Sequence, residues 1–224
     1  MTASLATSLD EIRCSIVESR AGSPLAAGQV TLVGASKTQP VEILEKAIRL
    51  GMTDFGENKV QEAQAKWPGL KAKHPQVKLH LIGPLQSNKA ADAVALFDVI
   101  ETIDREKIAA AVGEEIRRQN RNVTCYIQVN TGEEPQKGGV KPTELPALLA
   151  YGAQIGLSIT GLMCIPPADA NPAPHFALLR QLAQRHGLTQ LSMGMSSDYA
   201  DAIRLGATAV RIGTRLFGER LPSA

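Results

Sequence analysis

The sequence predicts an α/β protein closed into a single (β/α)8 TIM barrel. Eight short β-branched runs alternate with seven segments of helical periodicity, and such alternation implies a parallel sheet with right-handed crossovers. The 224 residues hold eight such units with no length to spare for a second, so residues 1–224 are expected to form one domain. A doubly wound open sheet is the structural rival. No GxGxxG follows the first strand and no GxxxxGK(S/T) occurs, which removes support from its nucleotide-binding forms.

The elements follow in order. An amphipathic opening segment at 6–20 carries Leu9, Ile12, Ile16 and Val17 near helical spacing, with Cys14 on its core side. The first strand, 30–36 (VTLVGAS), runs into Lys37, Thr38 and a proline that starts a helix at 40–50, which Gly51 ends. The second strand, 52–56 (MTDFG), precedes a helix at 58–66, and Trp67 before Pro68 reads as a packing residue. In the third, 77–83 (VKLHLIG), His80 alternates with Leu79 and Leu81 and should point into the barrel in a structural role. Then come a helix at 87–96, strand 97–103 (FDVIETI), and a helix at 104–119 with Asp104 as its cap. Strand 123–129 (VTCYIQV), where Cys125 packs as a small apolar group, precedes a helix at 142–154 capped by Thr143. Strand 157–165 (LSITGLMCI), helix 174–186, strand 189–195 (TQLSMGM) and helix 197–205 follow, the last capped by Ser196 and closed by Gly206. Strand 208–213 (TAVRIG) completes the eight, and the tail RLFGERLPSA supplies an eighth helix.

Composition excludes several functions. With 24 Lys and Arg against 22 Asp and Glu there is no general attraction to nucleic acid, and 4% aromatic content leaves few stacking platforms. No apolar run approaches a membrane span, and Asp10 and Glu11 interrupt what a signal peptide would need. Three dispersed cysteines without CxxC spacing argue for a reducing compartment and against a zinc site or disulfide framework. A cytoplasmic protein is the expectation. No strongly apolar exposed face stands out, which favours a monomer.

A barrel of this kind carries its site at the C-terminal ends of its strands, and the unusual residues fall there. The first strand delivers Lys37. The seventh delivers Met193-Gly194-Met195-Ser196-Ser197-Asp198, a glycine-containing turn opening into a helix, and such turns suit anions. The eighth carries Arg211, Gly213 and Thr214, adding close backbone approach and a hydroxyl. Closure makes strand one the neighbour of strand eight, so Lys37 lies across from Arg211 and beside a phosphate site. An amine, a phosphate cradle and an arginine able to face a ring nitrogen suit pyridoxal 5′-phosphate. A sugar-phosphate aldolase would need the same lysine, so both remain open on spacing.

The segments SKTQP, FGENKVQEA, HLIGPLQSNK, GLMCIPP, LSMGMSSDYADAIRLGA and VRIGTRLFGER, spread from position 30 to 220, together resemble the pyridoxal-phosphate homeostasis protein family. The resemblance implies a fold-type III barrel akin to the N-terminal domain of alanine racemase, holding pyridoxal 5′-phosphate as an internal aldimine. It implies Lys37 as the Schiff-base lysine, Ser196, Gly213 and Thr214 around the phosphate, and Arg211 at the pyridine nitrogen. It places Asn58 near the ring and Met193 on the pocket wall. The loop at 131–139 departs from the family's usual pattern; by default it reads as a flexible polar loop, and it is the candidate for gating or partner contact.

An arginine at the pyridine nitrogen disfavours its protonation and weakens the cofactor as an electron sink. Tyr126, Tyr151 and Tyr199 lie in a strand or on helices, none at an obvious strand end, which leaves no evident acid–base partner. The expectation is therefore a protein that buffers, delivers or senses pyridoxal 5′-phosphate for enzymes that use it, without turnover. A racemase or lyase is the alternative.

Overall fold

The computed structural model describes residues 4–218. Helix α1 (Leu5–Ala21) comes first, followed by β1 (Thr31–Ala35), α2 (Val41–Arg49), β2 (Asp54–Glu57), α3 (Val60–Lys73) and β3 (Lys78–Leu81). Next come a 3-10 turn at Ser87–Lys89, α4 (Ala90–Leu96), β4 (Val99–Ile103), α5 (Glu106–Gln119) and β5 (Thr124–Gln128). The chain finishes with α6 (Leu145–Gln154), β6 (Ile159–Met163), α7 (Pro172–Arg185), β7 (Gln190–Ser192), α8 (Tyr199–Arg204), β8 (Ala209–Ile212) and α9 (Thr214–Phe217). All eight strands pair in parallel in chain order, and β1 closes on β8 with Val33 opposite Arg211. The expected closed barrel is what forms, and the last six residues of the tail lie outside the described residues.

Helix α2 shows why these segments fold as they do. Leu44, Ala47 and Ile48 share one face and are buried, Glu42 sits in the first turn, and Lys46 and Arg49 sit in the last, complementing the helix dipole. Between sheet and helices lies the main apolar layer, including Phe55, Leu79, Leu81, Ile100, Trp67 and Phe176. Every strand is too short to be stable alone, so burial against its flanking helix holds it.

Several local expectations are corrected. Helix α3 continues past position 66 through Pro68 to Lys73. Proline costs the helix one hydrogen bond, but it lies on the exposed side while Trp67 and Leu70 are buried beside it. Tertiary packing therefore overrides the breaker. Asp104, Thr143 and Ser196 do not cap: the capping positions are Arg105, Glu144 and Asp198, none with a side-chain cap bond. Gly51 and Gly206 do end helices in left-handed conformations, at φ 82° and 102°. On α1, Leu9, Ile12 and Ile16 are buried as expected, whereas Val17 is 60% exposed and Cys14 is exposed too. The helix lies against α8 and α9 and buries only a narrow stripe, with Ser19 taking the place expected for Val17. Among the described residues, no helix is long and apolar enough to cross a membrane.

Candidate functional site

Lys37 lies two residues past the end of β1. A Cβ placed on Gly34 would come 2.7 Å from Met52 Cε in the helix layer, so position 34 faces outward and 33, 35 and 37 face the barrel. Ala35, Lys37 and Gln39 line a small cavity of about 30 Å³ together with Gly213, Thr214 and Gly218. Closure of β1 on β8 thus brings together the lysine and the glycine–threonine pair, 176 positions apart in the chain.

The turn after β7 is shaped by Gly194, at φ 91°. A Cβ there would lie 2.5 Å from Ala202 Cβ and 2.9 Å from Tyr199 Cα, so only glycine fits. Asp198 Oδ1 accepts from the Met195 amide at 2.6 Å, and the Arg211 amide donates to the Gly194 carbonyl at 3.0 Å, tying the turn to β8. Among the described residues, no backbone carbonyl accepts from the amides of Ser196, Ser197, Gly213 or Thr214. Four orphan donors at neighbouring strand ends, with the hydroxyls of Ser196 and Thr214, form a cradle for an anion.

Arg211 is 4% exposed and lies inside the barrel. Its Nη1 donates to Ser192 Oγ at 2.7 Å and its Nη2 to the Cys164 carbonyl at 2.8 Å. Ser192 donates in turn to Glu101 Oε2 at 2.6 Å. The other Glu101 oxygen faces His80 Nδ1 at 2.8 Å, and His80 Nε2 faces Asp54 Oδ1 at 3.1 Å. Five side chains from β2, β3, β4, β7 and β8 form one polar chain, in which the neutral Ser192 links Glu101 to Arg211, where barrels usually stack aliphatic layers. Burial pushes the Glu101 carboxyl up, but His80 and then Arg211 outweigh it and hold it low. Burial likewise opposes the His80 charge, yet the bonds to Asp54 and Glu101 raise its pKa to about 9. His80 does point into the barrel, as expected.

A pH dependence follows. The folded pKa of His80 lies above its ordinary 6.5, so its contribution is complete below pH 6.5 and is lost as pH rises through about 9. The wild-type unfolding free energy should fall over that window by roughly 3 kcal/mol more than that of His80→Gln. Urea midpoints for both proteins across the window would test this, and parallel profiles would contradict it.

The other predicted residues are placed as follows. Asn58 is half-buried just past β2, and a Cβ on Gly83 would collide with the Asn58 backbone, so that glycine lets the third loop lie against it. Met193 is fully buried. It follows the inward-facing Ser192, so alternation turns its side chain toward the helix layer, away from the mouth. Cys164 is buried and its thiol is pushed up to about 12 by burial; the carbonyl is what reaches the site. The 131–139 loop is pinned, contrary to the expectation of flexibility: Asn130 Nδ2 donates to Glu134 O at 2.9 Å, and Lys137 Nζ to Pro166 O at 3.2 Å.

Sequence reasoning gave no role to Glu57, Glu101 or Ser192. For the two glutamates a signal was present, since a carboxylate inside VIETI or at the end of DFGE is out of place in an apolar strand.

The family described as alanine racemase, N-terminal domain, matches residues 26–221. The pyridoxal phosphate homeostasis protein of Vibrio cholerae is 40% identical over 97% of this chain and 97% of its own length. That of Aquifex aeolicus is 41% identical over 84% of this chain and 86% of its own. The structure of PipY from Synechococcus elongatus without PLP superimposes with TM-score 0.85 at 36% identity, covering 96% of this chain and all of that one. Its PLP-bound form gives 0.83 at 34%, with the same coverage. Alanine racemase of Clostridium difficile shares the fold at TM-score 0.70 and 14% identity, with 58% of its length covered. With its closed parallel barrel and these relatives, the chain belongs to the pyridoxal phosphate homeostasis proteins of the alanine racemase N-terminal domain family.

Proposed function

We propose that this protein binds pyridoxal 5′-phosphate and serves in its intracellular homeostasis, buffering, delivering or sensing the cofactor without catalytic turnover. The observation that carries the reading is one cavity shared by the Lys37 side and the Gly213–Thr214 pair, beside a strand that holds Arg211 in the barrel. The residues fit the group chemically. Orphan amides and hydroxyls at Ser196, Gly213 and Thr214 suit its phosphate, Arg211 its ring nitrogen, and Asn58 lies just past β2 at the same end of the barrel, whereas Met193 turns away toward the helix layer. When bound, the group supplies an aldehyde with which a lysine amine condenses, releasing water. Lys37 is the amine placed to do so.

The placement of the tyrosines supports holding over turnover. Tyr126 lines a cavity of about 440 Å³ with Thr31, Lys78 and Thr124, at the strand starts and thus the end of the barrel away from Lys37. Tyr151 lies on α6, and Tyr199 is buried on α8 with Arg215 5.4 Å above its ring. Among the described residues no tyrosine therefore serves as an acid or base at the mouth. A single domain, acting as a cytoplasmic monomer, is part of this reading; three free cysteines fit a reducing compartment, and the Vibrio cholerae relative matches 97% of each chain.

Mixing the purified protein with pyridoxal 5′-phosphate, reducing with borohydride and mapping peptides tests the reading. A pyridoxyl group on Lys37, with no amino acid racemised or cleaved, is expected. An unmodified protein would overturn the cofactor reading, and saturable turnover of an amino acid would replace holding with catalysis.

A further inference from the structure

Lys37 is gripped from behind through both of its chain neighbours. Ser36 Oγ donates to Glu57 Oε1 at 2.9 Å, and the Ser36 carbonyl accepts from Lys66 Nζ at 3.2 Å. On the other side the Thr38 amide donates to Glu62 Oε1 at 2.5 Å. Lys66 joins the two carboxylates, 2.7 Å from Glu57 Oε1 and 3.0 Å from Glu62 Oε1, and Trp67 Nε1 donates to Glu57 at 2.9 Å.

Stability of the barrel does not account for this cluster. A Cβ on Gly56 would meet Val33 and Ile82, so position 56 faces the barrel and Glu57 faces α3, in an otherwise apolar layer. Glu57 is fully buried, and its Oε2 has no partner among the described residues. A buried carboxylate with one idle oxygen is costly, and Trp67 and Leu70 already anchor α3 by apolar packing. Thr38 has φ 65°, a left-handed conformation that a β-branched residue adopts only when its surroundings impose it. Burial raises the Glu62 carboxyl, but the Thr38 amide and the Lys66 ammonium outweigh it, so the group stays ionised to hold the strained residue. These features make sense together if the backbone on both sides of Lys37 must be fixed.

We propose that Glu57, Glu62 and Lys66 are positioning residues for Lys37. They lock the Ser36 and Thr38 backbone so that the lysine side chain leaves β1 aimed at the anion cradle. This rests on Lys37 being the amine that captures pyridoxal 5′-phosphate. In that step Lys37 Nζ attacks the aldehyde carbon and a carbon–nitrogen double bond replaces the carbonyl. The oxygen leaves as water with two protons from the amine, and nothing is oxidised or reduced. Fixing the direction of approach raises the rate of this step without touching the ring or the phosphate.

The test pairs two probes on the whole chain: pyridoxal 5′-phosphate, and pyridoxine 5′-phosphate, which keeps the ring and phosphate but lacks the aldehyde. Glu62→Gln and Lys66→Met should each slow capture of the aldehyde by about tenfold or more in stopped-flow absorbance. Both should bind pyridoxine 5′-phosphate like wild type in competition, and Lys66→Arg should recover most of the capture rate. Capture rates in both variants within about twofold of wild type would overturn the proposal. An equal loss of binding for both probes would also overturn it, since the cluster would then be a general support of the fold. A wild-type protein that captures no aldehyde at all would instead sink the proposed function itself.

Discussion

Replacing Lys37 with alanine is expected to abolish covalent attachment of pyridoxal 5′-phosphate and weaken its overall binding by roughly a hundredfold, about 3 kcal/mol. The remaining affinity comes from groups that the substitution leaves in place. In the proposed site the orphan amides of Ser196 and Thr214 would still meet the phosphate, and Arg211 is still held by Ser192 and the Cys164 carbonyl. The variant should therefore bind the cofactor reversibly, without the visible absorbance of a lysine adduct and without borohydride trapping. Lys37→Arg keeps the charge but cannot condense with an aldehyde, so it should behave like the alanine variant. Trapping at another lysine in Lys37→Ala, with affinity unchanged, would show that the strand-one lysine is not the attachment point. Folding should be unaffected, because Lys37 is only half-buried at the mouth and supports no packed layer.

Replacing Glu101 with alanine is expected to have the largest effect on stability. The carboxylate is fully buried and its two oxygens are divided between His80 and Ser192, with Arg211 Nη1 4.0 Å away. Its removal leaves Arg211 and His80 as buried cations, balanced only by Asp54 at the far end. Loss of one member of a buried ion network costs about 3–5 kcal/mol, more than the pair contributes relative to an apolar replacement. Urea unfolding of Glu101→Ala should show that loss, and Glu101→Gln a smaller one, because the amide can still accept from the serine. Part of the His80 cost should be relieved by deprotonation, so the alanine variant should be relatively less destabilised as pH rises toward 9. A loss under about 1 kcal/mol would mean that the network is not holding these charges.

The two effects separate chemistry from scaffold. Lys37 stands at an edge where change is tolerated structurally, while Glu101 lies in the middle of the barrel, where it is not. Between them is Arg211, whose backbone belongs to the β8 ladder and whose side chain belongs to the polar chain.

Much of this was legible in the order of residues. Alternating β-branched runs and helical segments determined the barrel, because a parallel strand must return through a crossover before the next can pair. The strand ends determined which residues meet at the mouth, since the fold collects whatever follows each strand at one face. Lys37, Ser196, Arg211, Gly213 and Thr214 could therefore be singled out without coordinates. What sequence order alone could not determine depended on contacts between distant segments. Helix α3 runs through Pro68 because Trp67 packs on Phe55 of β2 and Leu70 is buried beside it in the helix, an energy that local propensity omits. Val17 and Cys14 are exposed because α1 meets the barrel along a narrower stripe than its periodicity suggests. The partnership of Asp54, His80, Glu101, Ser192 and Arg211 belongs to the tertiary structure alone. Each lies on a different strand: pairing of β2, β3 and β4 brings Asp54, His80 and Glu101 together, and closure of the barrel brings Glu101 to Ser192 and Arg211, where mutual attraction offsets the loss of water.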